Sequence, residues 1–235
     1  TRSIIWSPSN LVDLEVVGPG EEGIVSFGIR SKDSFPIRSG NDRNLVLRLR
    51  TSAEVADIPQ EFSGVRVGSE DRLDLKVKSK VLFTARSAFA SSPISNSGLV
   101  PPRVGVRTFY TIIWEVRNFS NDIMNAEVRT ALPPNIKWAN AVYPGNVRIA
   151  YDRGSGEVYW EIGKIPAGTG VTGPALTGAF QIYVVPSESD LGNEVTLSNK
   201  SVLRGNDSFT GESLQMDFDS LTTDMEQEPG KGVVR

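Results

Sequence analysis

Carboxylates carry most of the chemistry open to this chain, because histidine and cysteine are both absent. That absence excludes imidazole-based triads, zinc sites and proton shuttles, as well as thiol chemistry and a disulfide framework. The pairs Glu157/Glu161 and Glu21/Glu22 and the run Asp217, Asp219 and Asp224 are the groups left for acid and base work. In EVYWEIG, Glu157 and Glu161 lie four apart on the outward face of a strand, on the order of 13 Å from each other at about 3.3 Å per residue. That exceeds the separation of both glycosidase classes. A solvated sheet face accounts for the pair, and the expectation is a protein that is not an enzyme.

Hard oxygen ligands late in the chain suit calcium better than catalysis. Asn206, Asp207, Asp217, Asp219 and Asp224 cluster there, with Asp207, Asp217 and Asp219 as the candidate metal ligands. The sequence has no D-x-[DN]-x-[DN]-G loop and acidic linkers are common, so the expectation is no cofactor, with calcium as the alternative. Lys76, Lys78 and Lys80 line one face of an expected strand, and Arg86 extends the row. The row reads either as contact with an anionic cell-wall polymer, weakened by salt, or as protection of a strand edge. Asn118-Phe119-Ser120, Asn199-Lys200-Ser201 and Asn206-Asp207-Ser208 fit the glycosylation triplet at about the frequency chance gives. A lysine-to-asparagine isopeptide bond would show only in the intact mass, as loss of ammonia. The loop 166–178 carries four glycines but leads into a strand with no lysine at phosphate-loop spacing, so it reads as a sheet-to-sheet connection.

The elements that must position these groups are strands. In YTIIWEVRN, Tyr110, Ile112, Trp114 and Val116 share one side, with Thr111, Glu115 and Arg117 on the other. In EVYWEIG, Val158, Trp160 and Ile162 face in. Leu73, Leu75, Val77, Val81 and Phe83 alternate with Asp74, Lys76, Lys78, Lys80 and Thr84, predicting one long strand. Val25, Phe27 and Ile29 predict another, and Leu45, Leu47 and Leu49 a third. Pro133-Pro134 stops the strand before it, since a proline nitrogen cannot donate to a ladder. Gly154-Ser155-Gly156 predicts a tight hairpin with positive backbone angles. Trp114, Trp160, Ile112, Ile162, Phe180 and Leu75 are the expected core.

A chain of 235 residues with 39% hydrophobic content has room for one large or two ordinary domains. Its 25 basic and 28 acidic residues leave a formal net charge of −3, which gives no general pull toward nucleic acid or an anionic membrane. No apolar run approaches the length of about 20 residues that a membrane helix needs. The opening TRSIIW, without a methionine or signal-like stretch, leads to the expectation that the ends are cuts in a longer protein.

An internal repeat sets the domain count. Ile4-Ile5-Trp6, a glycine-bearing loop, the Phe27 strand and the Leu47 strand parallel Val158-Tyr159-Trp160, a glycine-rich loop, the Phe180 strand and Val202-Leu203. Phe27 follows Trp6 by 21 residues, and Phe180 follows Trp160 by 20. The first copy lacks an equivalent of residues 71–157. The expected organisation is the C-terminal half of a repeat at 1–65, with a stop at Ile58-Pro59 and Phe62-Ser63-Gly64, then a complete repeat at 71–218 and an acidic Pro/Gly linker at 219–235. The expected fold class is all-β, as tandem β-sandwiches of which the first is incomplete; the resemblance that follows makes them immunoglobulin-like.

The strings YTIIWEVRNFSND, AEVRTALPPNIKW, GEVYWEIGKIPAG, FQIYVVP and VTLSN, in that order, resemble the conserved-repeat immunoglobulin-like domain of bacterial and archaeal surface proteins, catalogued as domain of unknown function number eleven. The matching elements are Tyr110 to Asn118, Leu132 to Asn135, Val158 to Gly163 and Phe180 to Asn199, within residues 71–218. The resemblance implies extracellular sandwich modules that act as spacers, adhesin stalks or envelope parts, and it carries over no catalytic residue. The expected function is a non-enzymatic structural spacer of a large bacterial cell-surface protein, partnered by neighbouring repeats of the same chain. The alternative is an adhesin that contacts cell-wall glycan or a surface protein through loops at one end of the sandwich, especially 91–106 and 166–178.

Overall fold

The computed structural model describes residues 3–30, 37–39, 41–55, 58, 60, 64, 67–225, 228 and 232–235. It divides into two compact units, residues 1–36 and 37–235. Pro59, Phe62 and Ser63 of the expected stop, and the end of the half repeat at 65, lie outside the described residues.

The described part of the first unit holds turns and a 3-10 turn at Val12–Leu14. Asn10 fastens its opening segment, donating to the Ile5 carbonyl and accepting from the Ser7 N–H. Trp6 and Phe27 meet at 5.7 Å between ring centroids. Val25, Phe27 and Ile29, expected in a strand, are in none and stand exposed. Alternation makes a strand only where a second strand supplies a ladder, and the described residues of this unit contain none.

The second unit opens with β1 (Val46–Glu54) and β2 (Gly68–Lys76), an antiparallel ribbon in register from Val46↔Lys76 to Glu54↔Gly68. A sandwich follows. Its four-stranded sheet contains β3 (Val81–Ala88), β4 (Thr108–Asn118), β6 (Ile136–Tyr143) and β9 (Leu176–Val184), in the order β3-β4-β9-β6. Its five-stranded sheet contains β5 (Ile123–Ala131), β7 (Ile149–Asp152), β8 (Glu157–Ile165), β11 (Ser201–Asp207) and β12 (Ser213–Phe218), in the order β12-β11-β5-β8-β7. Two short strands, β10 (Thr196–Ser198) and β13 (Leu221–Thr222), pair with each other at the side. Every pairing among these strands is antiparallel.

The two tryptophan strands belong to opposite sheets and meet in the middle. Tyr110, Ile112, Trp114 and Val116 of β4 are fully buried, as the alternation predicts, and Val158 and Trp160 of β8 face them. Trp114 stacks on Trp160 with planes 6° apart at 6.5 Å and meets Phe180 edge-on at 4.9 Å. Its indole N–H donates to the Ser201 hydroxyl at 3.1 Å, which satisfies the one polar atom the ring carries inside. Gly178 lies against this stack, where a Cβ would come within 2.9 Å of Ile149 and 3.1 Å of Trp160.

The predicted long strand from Leu73 to Phe83 is instead two strands in different sheets, broken at Val77 to Lys80. Val81 and Phe83 are buried, whereas Leu73 is 53% and Leu75 43% exposed, so Leu75 is not part of the core. The pattern names the side chains that share a face, and a second sheet lies opposite that face only after the break. The hairpin glycines differ as well, since only Gly156 of the pair Gly154/Gly156 has a positive φ, at 74°. Thr111 and Ile113, on the face of β4 expected to be polar and open, are buried beneath the 89–99 loop. There the Asn96 side chain joins Thr111 and Gln181 to the carbonyls of Ala88 and Phe89.

Of residues 219–235, expected as a linker, the described stretches 221–225, 228 and 232–235 pack on the sandwich, while Asp219 and Ser220 are exposed. Leu221–Thr222 form β13, and Thr223, Met225, Glu228 and Val234 are buried. Val233 and Val234 bridge to Glu194 and Leu191. The acidic composition hid an alternation at Leu221, Thr223 and Met225 that points inward. Gly232 permits the last contact, because a Cβ there would lie 2.0 Å from the Thr223 carbonyl oxygen. Gly232→Ala is therefore expected to release residues 232–235. In hydrogen exchange, the N–H groups of Val104, Gly192 and Val234, which bond within this contact, would lose protection while β4 keeps its own.

Candidate functional site

The buried carboxylates stand where the chain joins the two ends of the sandwich. At the near pole, β2 gives way to β3 through Ser79, and Asp207 closes β11 beside it. One Asp207 oxygen accepts from the Ser79 N–H and the Asn121 side-chain amide, both at 2.8 Å. The other accepts from the N–H groups of Phe209 at 2.9 Å and Thr210 at 3.1 Å. The Ser79 hydroxyl donates to Asn118 and accepts from the N–H groups of Ser120 and Asn121. Asn121 also receives the Asn44 N–H, which ties the root of the β1–β2 ribbon to the sandwich. Burial alone would raise the Asp207 pKa, but the donors from Ser79, Asn121, Thr210 and Phe209 outweigh it and hold the carboxyl below its ordinary value.

At the far pole, Glu228 accepts from the N–H groups of Phe89, Ala90 and Ser91 and from the Ser91 hydroxyl. Its pKa is also lowered, since these four donors overcome the effect of burial. Thr223 completes this end, donating to the Gly232 carbonyl and accepting from the Val195 N–H.

The candidate calcium ligands do not converge. Asp207 has four donors on its two oxygens, while Asp217 lies opposite Val202, five residues back along β11, which is on the order of 16 Å. Asp217 accepts from Lys200 and Gln215, and Asp219 is exposed. Among the described residues no group of three acidic side chains is arranged to hold a metal. The expected outcome is a melting temperature unchanged by added calcium or by a chelator. A rise with calcium would show that the acidic side chains rearrange around the ion.

The lysine row is not one strand face, because β2 ends at Lys76 and the other two lie in the connection to β3. Lys76 donates to the Phe209 carbonyl and lies 4.9 Å from the Phe209 ring centroid. Lys80 lies 5.7 Å from the Phe119 ring, and Lys78 is 4.0 Å from Glu212. Each thus has a neighbour at the near pole, and Lys78 remains largely exposed. Of the triplet asparagines, Asn118 is fully buried with its amide bonded to backbone carbonyls, Asn206 accepts from Ser213, and Asn199 is exposed.

Sequence reasoning weighed Glu157 with Glu161 along one strand and missed the cross-strand pair, Glu127 opposite Glu161. Two carboxylates facing each other repel, and here Arg129 binds both Glu127 and Glu157. The pair borders a cleft of about 600 Å³ whose rim also carries Arg148 and Lys164. Its acids therefore sit among cations. A bulge at Asn125 and Gly163, both with positive φ, shapes the rim, and only pairing between β5 and β8 could have marked it.

The two loops expected at one end of the sandwich stand at opposite poles, 91–106 between the Ala88 and Thr108 ends of β3 and β4 and 166–178 beside Asn118, and both are fastened. In 91–106, Gly98 is pressed onto Thr108, and the Pro102 carbonyl and Val104 N–H bond to Arg235. In 166–178, Thr169 and Gly168 bond to Asn118 and Phe119, and Gly170 lies against the Arg117 side chain.

This is an immunoglobulin-like two-sheet sandwich. No family model matches the sequence, and no curated protein matches it. Among solved structures, the chain is similar to the full-length major pilin SpaD of Corynebacterium diphtheriae, at 9% identity and a TM-score of 0.38, over 90% of this chain and 68% of that one. It is also similar to the major pilin subunit BcpA (D312A) of Bacillus cereus, at 8% identity and a TM-score of 0.40, over 74% of this chain and 48% of that one. A third likeness is to three N-terminal domains of the type V pili tip protein Mfa5 of Porphyromonas gingivalis, at 17% identity and a TM-score of 0.34, over 47% and 23% of the two chains. The chain thus spans under half the length of these last two structures. The fold assignment rests on the strand order itself. No helix among the described residues is long and apolar enough to cross a membrane.

Proposed function

We propose that this chain is a non-enzymatic structural module of a large bacterial cell-surface protein, a spacer that holds distance between neighbouring repeats outside the cell. One observation carries the reading. The chain comes into the sandwich at Ser79, at one pole, and its last described residues are fastened at the opposite pole, and a buried, fully bonded carboxylate stands at each. Between the poles runs β4, 11 residues and on the order of 37 Å long at about 3.4 Å per residue. A module strung this way passes tension along its strands and adds its whole length to a stalk.

The repeat register supports neighbours of the same kind. In the complete sandwich Trp160 and Phe180 both lean on Trp114, and in the first unit Trp6 and Phe27, at the matching spacing, touch each other. The resemblance to conserved-repeat surface domains points the same way. An adhesin would need loops at a pole that can adapt to a ligand, and 91–106 and 166–178 are pinned to the body.

The test is replacement in the whole surface protein. Exchange of residues 81–225 for an unrelated two-sheet module of similar length should keep the projection of the stalk and its attachment behaviour, while deletion shortens it. Loss of attachment after the exchange would favour the adhesin.

A further inference from the structure

β7 is shorter than the strand it pairs with, and the difference opens the cleft on the flank of the five-stranded sheet. Its pairing runs from Ile149↔Trp160 to Asp152↔Glu157, and one further bond joins the Glu161 N–H to the Arg148 carbonyl at 3.0 Å. Past that bond, Ile162, Gly163 and Lys164 keep β5 on one side and, among the described residues, no strand of the sheet on the other. The bulge that sets Ala126 opposite Gly163 bends the edge at the same place. The space left is about 600 Å³, within the range of small-molecule sites. Its floor is apolar, from Val147, Ile162 and Leu176, all half-buried, the last belonging to the opposite sheet.

The rim carries both signs of charge, some committed and some free. Arg129 takes both oxygens of Glu127, and Asp122 meets the Lys164 ammonium at 2.7 Å. Glu161, Arg148, Asn125 and Asn146 are exposed, and among the described residues their side chains have no hydrogen-bond or ion-pair partner. The free groups are therefore one carboxylate that accepts, one guanidinium that donates and two amides that do both. An anionic ligand would be repelled by Glu127 and Glu161, and a cationic one by Arg148 and Lys164. A neutral ligand whose polar groups each donate and accept satisfies the whole set, and a hydroxyl is such a group. A sugar ring adds C–H surface that suits the aliphatic floor.

We propose that this cleft binds a neutral saccharide of about one or two rings, with Glu161 and Arg148 holding its hydroxyl groups from opposite sides of the rim. It binds without cleaving, because glycoside hydrolysis needs two available carboxylates, and with Glu127 committed to Arg129 only Glu161 is free. A ligand on the flank leaves the length of the module unchanged, so the inference goes beyond the spacer reading and does not depend on it.

The test titrates the full chain with the neutral disaccharides cellobiose, maltose, lactose and chitobiose and follows the backbone amides by NMR. Deacetylated chitobiose and digalacturonate serve as the cationic and anionic controls. At least one neutral disaccharide is expected to give saturable shifts at Ile162, Gly163, Lys164 and Leu176, with the 91–106 loop unmoved. The chain carrying Glu161→Ala with Arg148→Ala should bind that disaccharide at least about tenfold more weakly, as loss of a hydrogen bond to a charged group requires. Its near-ultraviolet signals from Trp114 and Trp160 should match the parent, since both replaced side chains are exposed. Four results would overturn the proposal: saturation by none of the neutral disaccharides, tighter binding of either charged control, saturable shifts confined to other parts of the chain, or equal affinity in the double variant. None of them bears on the length of a stalk, and a stalk whose length ignores the module leaves the cleft untouched, so the two readings fail separately.

Discussion

Asp207→Ala lowers the unfolding free energy by about 3 to 5 kcal/mol, because four donors lose their acceptor and each buried orphan costs about 1 to 3 kcal/mol, partly relieved by water. Urea denaturation of the parent and variant measures it, and a difference within about 0.5 kcal/mol, as expected of an ordinary surface site, would remove Asp207 from the account. The same group sets an acid limit. Its pKa is lower in the folded chain than in an unfolded one, so its contribution is fully present above about pH 4 and fades as pH falls through the folded value. Glu228 has the same sign. The parent should therefore lose stability on acidification more steeply than a chain with both Asp207→Asn and Glu228→Gln.

Trp114→Ala is the second large effect, with an expected loss of about 3 to 5 kcal/mol from the cavity it leaves. The indole is fully buried and joins the two sheets through Trp160 and Phe180, so neither sheet can close over the gap without moving. Ser201→Ala isolates the polar part, at about 1 kcal/mol for one lost hydrogen bond. Trp114→Phe should fall between the two. If Trp114→Ala unfolded with the parent's midpoint and slope, the core would have to lie elsewhere.

What the sequence made legible follows from what alternation can encode. The inward residues of β4, and Val158 and Trp160 of β8, were readable because a second sheet faces them, whereas Ile162 is only half-buried and the outward Thr111 and Ile113 are covered by a loop that alternation does not encode. Leu73 and Leu75 carry the same pattern with no sheet opposite, and nothing local distinguishes the two cases. The tail was read as a linker from its acids, yet Glu228 is held by three backbone N–H groups, donors that no residue type announces. In the sequence Asp207 stood only among the alternative calcium candidates, and its bonding network was not legible. Two of its partners, Ser79 and Asn121, lie 128 and 86 residues away, and only the closed sandwich brings them within reach.

Pulling the whole chain by its two ends in an optical trap tests the central claim most directly. The account predicts that the sandwich opens in one cooperative step, with no earlier gradual lengthening from residues 213–235, and that Asp207→Ala and Glu228→Gln each lower the force of that step. Peeling of the tail at low force before the sandwich yields, or a step force that neither variant changes, would contradict it.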